Sequence, residues 1–162
     1  MNTLNKRKPL AIALGAAFAI TGGAPCPVSL RDRYVARGIR FRCGFGMTEA
    51  GVNCFTISQD EAERQPLAVG RPMPGIEIEI RRDDGRAAGA DETGELCLRG
   101  PQVCAGYWNE ARTANREFDN GWLHSGDLAR RDADGFLFVV DRSKDMIITG
   151  GENVYSKEVE DV

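Results

Sequence analysis

The sequence predicts an α/β fold: a partial doubly wound α/β subdomain, followed by a β-rich barrel-like subdomain and the start of a small C-terminal domain. Three observations carry this prediction. Residues 21–57 combine a helical pattern with short apolar runs, and residues 66–140 place apolar side chains with a period of two. The last twenty residues then begin a new strand and a new helix, at 147–151 and 154–159. A chain that ends inside an element suggests a fragment.

The first subdomain is predicted to contain a helix, a strand and a glycine-rich loop. Residues 27–37 form the helix, because Pro27 suits a first helical turn and Gly38 can end the helix in a left-handed conformation. Residues 39–43 form a short strand that leads into the loop Gly44–Gly51, whose sequence is GFGMTEAG. The polar residues 59–65 are predicted to be a surface connection.

The second subdomain is predicted to consist of strands joined by tight turns. Isoleucines alternate with charged residues at 76–81, leucines alternate at 96–98, and 136–140 is a further apolar run. Glycine and aspartate at 83–85 and 132–135 predict turns between them. Asn109 is predicted to cap a short helix over 110–118. Such a pattern is typical of a small β-barrel or meander packed on the α/β part.

The composition argues against a nucleic-acid-binding protein and against a structural zinc site. The 162 residues hold 21 basic and 24 acidic side chains, for a net charge of −3, so no basic surplus indicates a nucleic-acid partner. The five cysteines include no CxxC pair, which argues against a structural zinc site. Their odd number and wide spacing suit reduced thiols in a cytoplasmic protein.

The amino terminus leaves two interpretations open. Three basic residues at 6–8 precede an apolar stretch at 10–18 and an AxA-like triplet at 17–19, which is the layout of an export signal. The alternative is a buried helix or strand leading into the sheet. The apolar stretch is too short for a transmembrane helix, which needs about 20 residues. We therefore expect a cytoplasmic protein, or an exported one if residues 1–19 act as a signal.

The loop GFGMTEAG carries the side chains that a phosphate site needs. A hydroxyl such as that of Thr48 can donate to phosphate oxygens, and a neighbouring carboxylate such as that of Glu49 can hold a divalent cation through oxygen. Gly46 allows a close backbone approach, and Phe45 could lie against a planar base. On its own, the motif is more typical of a plain glycine-rich turn than of a phosphate site.

Six ordered motifs resemble those of the adenylate-forming (AMP-binding) ligases, the family of acyl-CoA synthetases, luciferases and adenylation domains. GFGMTEAG is similar to the family's aromatic-Gly-x-Thr-Glu motif, and TGGAP at 21–25 to its adenine-side turn. GWLHSGDLA at 121–129 is similar to the ribose motif, and DRSKDMIITGGENVYSKEVE at 141–160 to the hinge motif. The segments VGRPMPGIEIEI and GELCLRGPQVCAGYWN resemble family strand segments. The hinge motif is closer to acyl-CoA ligases than to peptide-synthetase domains.

The resemblance implies a role for each matched residue. Thr48 would bind phosphate oxygens and Glu49 would hold Mg²⁺, which makes these two the expected catalytic residues. Asp127 would accept hydrogen bonds from the ribose hydroxyls, and Arg142 would reach the ribose or phosphate side. Lys144 would be the hinge about which a small C-terminal domain swings. Adenine would be bordered by Gly22, Gly23, Ala24 and Phe45, and the CoA pantetheine channel by Gly150 and Gly151. Tyr107 and Trp108 are interpreted as packing aromatics, and His124 receives no catalytic role.

The resemblance also implies a domain division and a function. Residues 1–20 would be a signal-like or non-family leader, residues 21–142 a partial AMP-binding domain, and residues 143–162 the hinge and the truncated start of the C-terminal domain. The family's phosphate loop, its acyl-binding half and its late catalytic lysine have no counterpart in this sequence. We expect part of an ATP-dependent ligase that joins a fatty or aryl carboxylic acid to CoA, inactive as this chain alone. A nucleotide-binding or interaction module without turnover, or a nonfunctional truncation or fusion product, are the alternatives.

Overall fold

The computed structural model describes residues 18–22, 26–108, 117–149 and 152–155. Within these ranges the chain forms two helices and eleven strands. In chain order they are β1 (Phe18–Thr21), α1 (Val28–Val35), β2 (Arg40–Cys43), β3 (Phe55–Thr56), α2 (Gln59–Arg64), β4 (Arg71–Pro72), β5 (Glu77–Arg81), β6 (Gly94–Arg99), β7 (Phe118–Asp119), β8 (Trp122–Arg131), β9 (Leu137–Arg142), β10 (Ile147–Thr149) and β11 (Glu152–Val154).

The first part of the chain is a β-α-β unit. Strands β1 and β2 pair in parallel, from Phe18 opposite Arg40 to Thr21 opposite Cys43, and α1 belongs to the connection between them. Parallel neighbours require such a crossover. The predicted helix is confirmed over Val28–Val35, and Gly38 follows it with a φ of +75° as expected for a glycine that ends a helix. At the amino terminus, the structure contains a strand at Phe18–Thr21, and a strand was part of one of the two interpretations given above. Residues 1–17 lie outside the described ranges.

Helix α2 corrects the prediction of a surface connection at 59–65. The hydroxyl of Ser58 accepts a hydrogen bond from the backbone N–H of Glu61, and the carboxylate of Glu61 accepts one from the backbone N–H of Ser58. This reciprocal capping box stabilises a helix that is too short and too polar to show a hydrophobic period. Ala62 is its buried residue and packs with Ile57 and Phe136.

The second part of the chain is the predicted strand-rich subdomain, a five-stranded antiparallel sheet. Its order is β5-β6-β8-β7, with β9 also paired to β8. Strand β6 pairs with one edge of β8. The other edge of β8 is shared by two strands: β7 pairs with its start and β9 pairs with its end. The side chains that fill the core of this sheet include Leu96, Leu98, Leu123, Ala129 and Leu137, all fully buried. They pack with Ala50, Cys54 and Phe55, which precede α2 in the chain.

Two late segments differ from the predictions. Phe118 lies in β7 opposite Leu123, so the predicted helix over 110–118 does not reach its expected end, and residues 109–116 lie outside the described ranges. The strand predicted at 147–151 is confirmed over Ile147–Thr149. It pairs with β11, so Val154 ends a hairpin rather than beginning the predicted helix. No helix among the described residues combines the length and apolar character needed to span a bilayer.

Candidate functional site

The GFGMTEAG loop is a compact turn between β2 and β3. The backbone N–H of Met47 donates to the carbonyl of Gly51 at 3.0 Å, and that of Cys54 donates to the carbonyl of Phe45 at 2.9 Å. A Cβ on Gly46 would lie 2.3 Å from the carbonyl carbon of Val52. The close backbone approach expected at Gly46 is therefore present, and the backbone that approaches it is that of Gly51 and Val52 in the same loop.

An open cleft of about 860 Å³ separates this loop from the end of β1. The two segments are joined by a hydrogen bond of 2.7 Å from the backbone N–H of Gly44 to the carbonyl of Thr21. The volume lies within the range of small-molecule sites. The cleft is lined by Ile20, Thr21, Gly22, Gly44, Gly46, Met47, Thr48, Gly51, Val52 and Asn53.

The cleft joins some of the predicted nucleotide residues and omits others. Gly22 and Thr48 meet there although 26 positions separate them in the sequence. Phe45 is not one of the lining residues, because its ring packs edge-on against Phe55 with the ring centroids 5.7 Å apart. Gly23 and Ala24 lie outside the described residues.

Glu49 faces the segment that follows β6. Its Oε1 accepts a hydrogen bond of 2.7 Å from the hydroxyl of Tyr107, and its backbone carbonyl accepts one from the N–H of Cys104. The hydrogen bond to Glu49 raises the pKa of Tyr107 to about 12. The ring of Tyr107 also packs against Phe118, so the expected packing role is present together with a polar contact to the predicted metal ligand. Trp108 is 92 % exposed.

Tyr107 is therefore a candidate site residue that the sequence analysis missed. It lies 58 positions after Glu49, beyond any local pattern, and aromatic residues in a strand-rich segment are usually packing residues. The contact depends on the turn after β6, which brings Gln102 and Cys104 against the loop: the side chain of Gln102 donates to the carbonyl of Ala50 at 2.9 Å.

Asp127 and Arg142 face each other across β8 and β9. They occupy the same register position, and Nε of Arg142 lies 3.4 Å from Oδ1 of Asp127. Burial raises the pKa of the Asp127 carboxyl, while the charge of Arg142 opposes that rise. The arginine side chain is 57 % exposed. The Asp127 side chain is only 12 % exposed, so the pair presents its guanidinium to solvent and keeps the carboxylate acceptors largely buried behind it.

The predicted hinge residue Lys144 lies exposed in the turn between β9 and β10. This turn is tied to β8, since the backbone N–H of Ser143 donates to the carbonyl of Gly126 at 2.9 Å. Farther along, Met146 and Tyr155 line a cavity of about 250 Å³ against Leu128 and the β5–β6 hairpin. Gly150 and Gly151 lie outside the described residues.

The predicted residues thus form two groups, Gly22 with Thr48 and Asp127 with Arg142. Within the described part of the chain, no hydrogen bond or ion pair joins one group to the other. Both belong to elements that share a hydrophobic core, since Ala50 of the loop and Ala129 of β8 are buried in the same cluster. Convergence of the two groups on one nucleotide stays a prediction.

Comparison with known proteins decides the family. The family model described as "AMP-binding enzyme" matches residues 3–108. The chain belongs to the AMP-binding enzyme family. A feruloyl-CoA synthase from Amycolatopsis is 40 % identical over 141 residues, which are 87 % of this chain and 29 % of that protein. A medium/long-chain-fatty-acid–CoA ligase from Mycobacterium tuberculosis is 42 % identical over 137 residues, 84 % of this chain and 24 % of that protein.

Solved structures of this family share the fold of this chain. The o-succinylbenzoate CoA synthetase of Bacillus subtilis in complex with ATP and magnesium ion superposes with a TM-score of 0.79 at 38 % identity, over 89 % of this chain and 30 % of that one. Its complex with the acyl-adenylate intermediate gives a TM-score of 0.80 at the same identity, over 88 % and 29 %. The predicted resemblance and the partial α/β fold are confirmed. The chain spans less than a third of the length of these relatives.

Proposed function

We propose that this chain is the nucleotide-side part of an ATP-dependent acid–CoA ligase. In that reaction a carboxylate oxygen of the acid attacks the α-phosphorus of ATP and pyrophosphate leaves, giving an acyl-adenylate. The thiol of CoA then attacks the acyl carbon, and AMP leaves. The observation that carries the proposal is the cleft that joins Gly22 and Thr48, two residues assigned to the nucleotide by separate motifs. ATP and CoA are cytoplasmic substrates, so the proposal includes a cytoplasmic location.

Within the proposed site, each residue has a distinct task. The chain at Thr21–Gly22 and the loop residues that line the cleft would border adenine, and the hydroxyl of Thr48 would donate to phosphate oxygens. Asp127 would accept hydrogen bonds from the two ribose hydroxyls, and the charge of Arg142 opposes the rise in the pKa of Asp127 that burial causes.

The residues fit a magnesium ion at Glu49. Tyr107 donates to Oε1, while Oε2 takes no hydrogen bond from the described residues and is free to coordinate a hard cation. When bound, the ion would offset the negative charge of the phosphate oxygens. Tyr107 would fix the orientation of the carboxylate, because it occupies one of the two oxygens.

We also propose that the boundary predicted from the motifs at the hinge applies, with the AMP-binding part ending at 142 and a hinge from 143. Three features support this. Strand β9 ends at Arg142, Lys144 lies in the turn that follows, and a separate hairpin begins at Ile147. Gly150 and Gly151 would border the pantetheine of CoA. The relatives act on an aromatic acid and on fatty acids, which is the range proposed for this chain.

Calorimetric titration of the full chain with AMP tests the proposal. We expect binding that Asp127→Asn weakens about 10-fold or more, because a hydrogen bond to a charged group contributes about 1.5–3 kcal/mol. Asp119→Asn, at an exposed aspartate on β7, is the matched control and should leave the affinity unchanged. A folded chain that gives no heat with AMP contradicts the proposal.

A pyrophosphate-release assay with ATP and a panel of fatty and aromatic acids separates the alternatives. We expect no release by this chain, because the sequence offers no counterpart of the family's phosphate loop or late lysine. AMP binding without release would support a nucleotide-binding module. Thioester formation by the chain alone would contradict the expected division of the site.

A further inference from the structure

We propose that Glu95 and His124 are positioning residues, which hold the bend of β8 so that the carboxylate of Asp127 is aimed at the ribose. The inference rests on the proposed nucleotide function of Asp127. It concerns side chains of β6 and β8 to which the sequence analysis gave no role.

The bend is an irregularity in the pairing of β6 with β8. Glu95 pairs with Leu128 and Cys97 pairs with His124, so a step of two residues on β6 faces a step of four on β8. The extra length lies at 125–127, where Gly126 adopts a φ of +71°. A bulged strand leaves backbone groups outside the ladder and re-aims the side chains beside it.

Glu95 satisfies the backbone group at the bend. Its Oε1 accepts a hydrogen bond of 3.2 Å from the N–H of Gly126, the residue before Asp127. Its Oε2 lies 2.7 Å from Nδ1 of His124. The carboxylate of Glu95, on β6, therefore links two positions of β8: Gly126 in the bend and His124 before it.

The other nitrogen of His124 determines where the ring carries its proton. Nη1 of Arg81 lies 3.2 Å from Nε2 of His124, and a guanidinium can only donate. Nε2 must therefore accept, and the proton must be on Nδ1, where it is donated to Glu95. Arg81 is held in place by the carboxylate of Glu79, which it contacts at 3.1 and 3.3 Å.

A metal site is the competing interpretation of the same side chains. One ligand atom from each of Glu95, Cys97 and His124 lies within 4.8 Å of the others. The guanidinium of Arg81 beside the ring opposes a cation, and it leaves the proton on the nitrogen that would coordinate one. Burial raises the pKa of the Cys97 thiol to about 11, which disfavours the thiolate that a metal requires.

Substitution of Glu95 by glutamine distinguishes the effect of the side chain's volume from the effect of its hydrogen bonds. The amide has the volume of the carboxylate but offers an acceptor on one side and a donor on the other. It cannot accept from both Gly126 and His124, so one of the two hydrogen bonds must be lost. Substitution of His124 by asparagine can place an amide N–H where Nδ1 was, whereas alanine cannot.

The ring of His124 can be observed directly, because it is the only histidine of the chain. We expect nitrogen NMR of the labelled full chain to show the Nδ1–H tautomer at neutral pH, and Glu95→Gln to alter the ring signal together with the amide signals of Gly126 and Asp127. In AMP titrations, Glu95→Gln and His124→Ala should weaken binding about 10-fold, as loss of a charge-assisted hydrogen bond predicts. His124→Asn should stay within about 3-fold of wild type, and the control Glu63→Gln on α2 should not change it.

Several results would overturn the inference. An Nε2–H tautomer in the wild-type chain, or a shift of the histidine signals on addition of Zn²⁺, contradicts the hydrogen-bond chain. Equal AMP affinity of the wild type and a folded Glu95→Gln variant contradicts the positioning of Asp127. If the wild type binds no AMP, the proposed function fails and the link to the ribose fails with it. The tautomer then still shows whether the network itself is present, so the two failures can be told apart.

Discussion

Replacement of Gly46 by alanine is the sharpest perturbation of the nucleotide-side loop. The new Cβ would lie 2.3, 2.4 and 2.5 Å from backbone atoms of Val52 and Gly51, about 1 Å short of the 3.4 Å at which ordinary contact begins. Backbone atoms cannot rotate away as a side chain can, so the loop must open. Opening breaks the Met47–Gly51 and Cys54–Phe45 hydrogen bonds and uncovers Ala50 and Cys54, which are almost fully buried.

The cost follows from these losses. Two hydrogen bonds contribute about 1 kcal/mol each, and partial exposure of the buried pair adds a similar amount, so we expect a loss of about 2–4 kcal/mol of unfolding free energy. Urea denaturation of the full chain measures it, as a midpoint lowered by about 1–2 M. Gly89→Ala is the control, because its Cβ would make only ordinary contact at 3.5 Å with the side chain of Glu92. Equal midpoints for the Gly46 variant and wild type would refute the steric argument.

Three further predictions concern the core and the charged groups. Leu96→Ala should lower the unfolding free energy by about 2–5 kcal/mol, since Leu96 is fully buried in the sheet core; a loss no greater than that of Leu67→Ala, at a 38 % exposed leucine, would contradict this. Glu49→Gln should lower the pKa of Tyr107 from about 12 toward 10 in a spectrophotometric titration read against Tyr107→Phe, and an unchanged titration would exclude the hydrogen bond. Hydrogen bonds from Ser58 and Arg71 lower the pKa of Glu61 from 4.5 to about 2. Glu61 therefore stabilises the fold above about pH 4.5 and loses that contribution as the pH falls toward 2. The stability difference between wild type and Glu61→Gln should shrink across that window in urea titrations, and a constant difference would be contrary to it.

Periodicity and turn residues predicted most of the sheet. The alternation at Ile76, Ile78 and Ile80 and at Leu96 and Leu98 is a local consequence of one buried face, so it is visible without knowledge of the fold. Helix α2 was missed for the opposite reason. Its stability comes from a capping box and from Ala62, which leave no hydrophobic period in six residues.

The candidate site was predictable only in part. Thr48 and Asp127 belong to motifs whose residue types carry their own chemistry, so the sequence was enough to select them. The contact of Tyr107 with Glu49 depends on how the turn after β6 packs on the loop, and that packing has no local signature. The environment of His124 likewise depends on the bulge between β6 and β8, because the bulge is what turns Gly126 toward Glu95.

The structure of this chain in complex with AMP tests the central claim most directly. We predict adenine in the cleft beside Gly22, the phosphate within hydrogen-bonding distance of Thr48, and both ribose hydroxyls on the carboxylate of Asp127. AMP bound elsewhere, or bound in the cleft with Asp127 and Arg142 facing an unrelated surface, would contradict the account.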